Sequence, residues 1–171
     1  YVRELAPNVP VILDAKRADI GNTNVGYVEM AFNYLRVDAI TVHPYLGREA
    51  LQPFLDQKDK GIIVLVRTSN PGAGEFQDLE VRWREPGKVF DDSIPLYRFV
   101  ARKVTREWNK NGNCAVVAGA PYPQELKEVR EDVGDMPILI PGIGAQGGDV
   151  KATIKAGQDS RKQGMIINLS R

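Results

Sequence analysis

Near the start of the chain, Asp14-Ala15-Lys16-Arg17-Ala18-Asp19 sets two acids around a lysine at spacings of two and three. Residues two apart on a strand point the same way, so Asp14 and Lys16 share a face there. A lysine drawn out of water loses stability as a cation unless carboxylates compensate. Flanking acids would keep Lys16 protonated and make it a positioned proton donor. The competing reading of the same spacing is a structural salt bridge.

A second pattern is Pro141-Gly142-Ile143-Gly144-Ala145-Gln146-Gly147-Gly148-Asp149, between a strand-like run and a helix-like stretch. Glycines let backbone N–H groups approach a phosphate, and a helix N-terminus favours negative charge. The loop lacks the Gly-Lys-Ser/Thr ending of a Walker A motif and lies too far along the chain for a dinucleotide fingerprint. Arg171 could close on the same phosphate with a charge-assisted fork. A plain tight turn is the alternative for the glycines.

Thr68-Ser69-Asn70 offers neutral donors and acceptors for the amide edge of a heterocycle, or else a hydrogen-bonded strand cap. His43 is the single histidine, which disfavours a His-rich metal site and points to a structural role. Cys114 precedes an apolar run and reads as core; Tyr45, Trp83 and Trp108 read as packing.

The elements that must carry these residues are short, Val/Ile-rich apolar runs at 9–13, 39–42, 62–66, 115–118, 138–140 and 165–167. Continuous rather than alternating apolar residues suit strands buried on both faces, as in parallel sheets. Amphipathic stretches at 22–35, 94–111, 124–133 and 149–156 read as helices between them. The order is that of an α/β protein, either doubly wound or a (β/α)8 barrel. Polar residues gather just past strand ends around the whole series, which favours the barrel. The longer excursion at 71–93 reads as a lid or as an ordered surface loop.

Composition agrees with a globular chain: 171 residues, 43% hydrophobic, 26% charged, 8% aromatic and a net charge of +1. The near-neutral balance gives no nucleic-acid footprint. No apolar run approaches the ~20 residues of a membrane helix. A single cysteine fits a reducing cytoplasm.

The run from Leu13 to Thr23 resembles the signature of orotidine 5′-phosphate decarboxylases, in the branch with an Asp-Ala-Lys-Arg-x-Asp-Ile-Gly form. Further matches follow in order at 41–47, 67–73, 141–149 and 167–171. The resemblance implies a (β/α)8 barrel that works as a homodimer, with the active site shared across the interface and no cofactor or metal. It implies decarboxylation of orotidine monophosphate to UMP, with Lys16 protonating C6, Asp14 against the substrate carboxylate, and Asp19 and Thr23 reaching the partner's site. Ser69 would bond the pyrimidine, Pro141 would wall the base, and Gln146, Gly147 and Arg171 would hold the phosphate. A magnesium-dependent decarboxylase of 3-keto-gulonate 6-phosphate shares the Asp-x-Lys-x-x-Asp arrangement and is the nearest rival. A non-catalytic phosphate-binding or dimerisation fragment is the rival from another class.

The family also has a catalytic lysine on its second strand and a ribose-binding aspartate on its first. The chain opens on Tyr1, just before what would be the third strand, and stops at Arg171, before the final helix. The expectation is a single barrel domain over 1–171, truncated at both ends and holding strands three to eight. The isolated polypeptide is then expected to have little or no decarboxylase activity.

Overall fold

The apolar runs become six strands in the computed structural model, which describes residues 2–82, 93–144 and 146–169. They are β1 (Ile12–Arg17), β2 (Ala39–Val42), β3 (Gly61–Arg67), β4 (Cys114–Ala118), β5 (Ile138–Ile140) and β6 (Met165–Ile167). Their hydrogen-bonded order follows the chain, β1-β2-β3-β4-β5-β6. A doubly wound sheet reverses its order at a switch point, and none occurs among the described residues. Sequential parallel strands with intervening helices are the order of a (β/α)8 barrel.

The chain forms two compact units, one of residues 1–65 and 107–115, the other of 66–106 and 116–171. In the first, β1 and β3 flank β2 in parallel, with Ile12 opposite Ala39, and Ala39 opposite Gly61. Every residue of β2 is buried. Helix α1 (Gly21–Val28) continues as a wider π-helical turn, Glu29–Tyr34, and α2 (Gly47–Leu55) buries Ala50, Leu51, Phe54 and Leu55.

In the second unit β4, β5 and β6 run parallel, with Val116 opposite Ile138 and Ile138 opposite Met165. Helices α3 (Leu96–Lys103), α4 (Pro123–Val133) and α5 (Val150–Gly157) accompany them. Asp132 joins α3 to α4 by accepting from Arg98 at 2.6 and 3.0 Å and from Arg102 at 2.8 Å. The buried Arg130 donates to the carbonyls of Gly134, Met136, Gly157 and Gly164, so its guanidinium closes the loops before β5 and β6 without a carboxylate.

Several boundaries differ from expectation. The first strand begins at Ile12, not Val9, because Pro10 has no N–H for a ladder and the Val11 N–H donates to Asp38 instead, at 2.7 Å. It then continues through Asp14 and Lys16, which lie inside the strand rather than past it. Helix α2 escapes an apolar-period reading because Pro53 falls inside it. The long amphipathic stretch begins as helix only at Leu96. Ile94–Pro95 pairs antiparallel with Glu80–Val81 instead. The excursion thus opens in ordered elements, Pro71–Ala73 and Gly74–Gln77; its residues 83–92, Trp83 among them, lie outside the described residues. Trp108 is core as expected, but Tyr45 is 89% exposed, on the turn between β2 and α2.

Candidate active site

The end of β1 is irregular. Leu13 faces Ile40 and Arg17 faces Val42, so three residues of β1 stand against Thr41 alone. The two extra residues form a bulge, and Lys16 absorbs it with φ = 49°, in the left-handed region. Two hydrogen bonds tie the bulge to β2, and a third closes the bulge on itself. The Lys16 N–H donates to Thr41 Oγ1 at 2.9 Å, the Thr41 hydroxyl donates to Asp14 Oδ1 at 2.8 Å, and Lys16 Nζ donates to the same oxygen at 2.7 Å. Asp14 and Lys16 therefore meet as expected, but through a bulge and a threonine rather than through plain strand alternation.

Partial burial works to raise the Asp14 carboxyl. The hydrogen bonds from Lys16 and Thr41, with the Lys16 charge, outweigh it and hold the group below its ordinary value. Asp14 is thus a carboxylate at neutral pH. The pair is a salt bridge in geometry, yet each side chain is 51% exposed, so it adds at most about 1 kcal/mol to stability. A strained backbone around a weak ion pair is poor value as structure and suits a site that must present charge.

Asp19 takes no part in this ring: its Oδ1 accepts from the Ile20 N–H at 2.6 Å. Only one acid of the chain's own signature therefore bonds Lys16, not two. Asp19 is held instead by Asn24, a fully buried residue that the sequence reading did not single out. Asn24 accepts from the Asp19 N–H at 2.9 Å and donates to the carbonyls of Asp19 at 2.7 Å and Ala50 at 2.6 Å. The available signal was a polar side chain one residue past Thr23 on the inward face of α1. Thr23 itself is exposed on the first turn of that helix. His43 fits a structural role, donating its N–H to the Arg17 carbonyl and accepting from the Tyr45 N–H at Nδ1. Cys114 is core, and burial pushes its thiol up to about 11.

In the second unit, Ser69 is half-buried past the end of β3. The Gly119 N–H donates to the Arg67 carbonyl at 2.8 Å, and a Cβ at Gly119 would stand 2.8 Å from Ser69 Cα. Glycine is what lets these two strand ends approach. Thr68 and Asn70 form a strand-end cap: the Thr68 hydroxyl donates to Asn70 Oδ1 at 2.7 Å and accepts from Gln77 Nε2 at 3.0 Å. The flanking pair of that triplet thus fits the strand-cap reading.

The loop after β5 is built on glycines at φ = 99° (Gly142), 83° (Gly144) and 83° (Gly147). Gly147 and Gly148 donate their N–H groups to the carbonyls of Gly144 and Gly142, at 2.8 and 3.1 Å. Those two amides hold the loop's own turn rather than pointing outward for a phosphate. Asp149 caps α5 by accepting from the Ala152 N–H at 2.7 Å, so the helix terminus already carries a carboxylate. Gln146 is exposed, and its Oε1 lies 2.8 Å from where a Cβ on Gly142 would be. Pro141 is half-buried, and its carbonyl accepts from the Ala120 N–H at 2.8 Å. Ala145 and Arg171 lie outside the described residues. Among the described residues, no group of three His, Cys, Asp or Glu side chains is arranged to hold a metal, and no helix is long and apolar enough to cross a membrane.

Comparison with known proteins gives a consistent result. The family model of the orotidine 5′-phosphate decarboxylase / HUMPS family matches residues 1–171. An orotidine 5′-phosphate decarboxylase of Janthinobacterium sp. (strain Marseille) is 52% identical over the whole chain, which spans 59% of that protein. The structure of Leishmania donovani OMP decarboxylase is similar with a TM-score of 0.87 and 40% identity, over 99% of this chain and 62% of that one. Leishmania donovani UMP synthase is similar with a TM-score of 0.88 and 42% identity, over 98% of this chain and 35% of that one. With its sequential parallel strands and its Asp14–Lys16 strand end, the chain belongs to the orotidine 5′-phosphate decarboxylase / HUMPS family.

Proposed function

We propose that the protein carrying this chain decarboxylates orotidine 5′-monophosphate to UMP in pyrimidine biosynthesis, without metal or organic cofactor. The observation that carries this reading is Lys16 Nζ at 2.7 Å from a carboxylate, on a bulged strand end that leaves both groups half exposed. The name of the relatives near 50% identity favours it over the magnesium-dependent sugar-phosphate rival. The C6–carboxylate bond breaks, CO2 leaves, and the electron pair left at C6 takes a proton from the Lys16 ammonium. Asp14 lies against the substrate carboxylate; loss of CO2 relieves that like-charge contact. The fixed ammonium stabilises the carbanion as it forms.

Ser69 bonds the pyrimidine, Pro141 walls the base, and Gln146 and Arg171 grip the phosphate beside the turn that Gly147 shapes, a grip whose binding energy serves the distant chemistry. Asp19 and Thr23 reach the partner's site in a cytoplasmic homodimer. Because the chain spans 59% of its curated relatives, the assay belongs to the full-length protein that contains these residues. Lys16→Ala should cut UMP formation about 10³-fold. Undiminished turnover in that variant defeats the assignment, and turnover abolished by a chelator favours the magnesium-dependent rival.

A further inference from the structure

Thr41 stands in the middle of β2, fully buried between Ile40 and Val42. A hydroxyl in such a place is costly unless its hydrogen-bonding capacity is used. Here it is used in both directions, and both partners belong to the bulge of β1: the Lys16 N–H as donor and Asp14 Oδ1 as acceptor. We propose that Thr41 is a positioning residue for the Asp14–Lys16 pair, pinning the bulge so that carboxylate and ammonium are presented in one arrangement. The inference rests on the decarboxylase reading of that pair.

Three features support it. The extra residues of β1 put the Lys16 N–H out of register with the carbonyls of β2, and Thr41 Oγ1 supplies the missing acceptor. A lysine at φ = 49° persists only where its surroundings hold it, and the threonine hydrogen bond is on that residue's own N–H. The Thr41 hydroxyl and Lys16 Nζ converge on the same oxygen, Oδ1, which fixes the carboxylate by one edge while its side chain stays half exposed. Valine keeps the shape of threonine and removes this chemistry; serine keeps the chemistry and removes a methyl.

The test compares Thr41→Val and Thr41→Ser in the full-length protein. Loss of a hydrogen bond to a charged group corresponds to about a 10- to 100-fold lower kcat for Thr41→Val, with KM within about threefold. Thr41→Ser should stay within about threefold of the parent in both. A purely structural role would lower thermal stability and leave the kcat of the folded enzyme alone. The proposal is overturned if Thr41→Val keeps its kcat within about twofold, or if Thr41→Ser falls as far as Thr41→Val. Should the parent protein form no UMP at all, the decarboxylase reading fails, and NMR titration of the Asp14 carboxyl judges Thr41 alone. An upward move of that titration in Thr41→Val but not in Thr41→Ser supports the pin, and an unmoved titration in Thr41→Val removes it.

Discussion

At the end of β1 the backbone leaves regular geometry at a lysine; past β5 it does so at three glycines. Both regions adopt positive φ, at Lys16 in one and at Gly142, Gly144 and Gly147 in the other. They are held by opposite means. The Asp14–Lys16 bulge is fixed by side chains, with Thr41 and Asp14 supplying the acceptors. The 141–149 loop is fixed by the absence of side chains and by its own amides. Where side chains hold a shape, the strain sits on a residue that the proposed function uses. Where glycines hold it, the shape itself is what is being kept.

The largest effect that would sharpen this contrast is expected from Lys16→Gly. A non-glycine residue in the left-handed region costs about 1 kcal/mol, and glycine removes that cost. The substitution also loses a half-exposed ion pair of at most about 1 kcal/mol and gains chain entropy in the unfolded state. These offset each other, so stability in urea should change by no more than about 1 kcal/mol while UMP formation falls about 10³-fold. A variant that unfolds readily would instead mark Lys16 as a structural residue and erase the distinction.

The glycine loop should answer the other way. A Cβ on Gly142 would lie 2.7 Å from Pro121 Cδ, at φ = 99°, whereas a Cβ on Gly147 meets nothing within 4 Å, at φ = 83°. Gly142→Ala therefore combines overpacking with backbone strain, about 2–4 kcal/mol, and Gly147→Ala carries only the strain, about 1 kcal/mol. Urea unfolding of the two variants measures the difference. Equal costs would mean that close packing against Pro121 does not shape this loop.

The same contrast explains which features could be read in advance. The five strands at 39–42, 62–66, 115–118, 138–140 and 165–167 are legible to within a residue because each is a continuous apolar run bounded by polar or turn residues. The acid–lysine pair is legible because its chemistry lies in residue types at short spacing. Thr41 and Asn24 are harder to read, because each also bonds a partner 25 or more positions away, in Lys16–Thr41 and Asn24–Ala50, and no local pattern reports such a partner. The bulge is equally hidden: it exists only as a mismatch between two strands. For the glycine loop, composition announces a special backbone, but whether its amides turn inward or outward is settled by register within the loop.

The smallest effect concerns acid. Asp14 titrates below the ordinary aspartate value when folded, so the folded state binds protons less readily than the unfolded state there. Its contribution to stability is therefore present above about pH 4 and is lost as pH falls through the folded value. Asp14→Asn removes that dependence, so the gap between variant and parent in urea midpoint should narrow between pH 7 and pH 3. Asp38, Asp135 and Asp159 are also held low and steepen the acid limb of both proteins alike, so the difference between the two curves isolates Asp14. Gly147→Ala is the control, because a backbone penalty carries no proton and its gap should be the same at both pH values. An Asp14→Asn gap that stays constant with pH would show that the bulge is not held by charge. The two regions would then differ in composition alone.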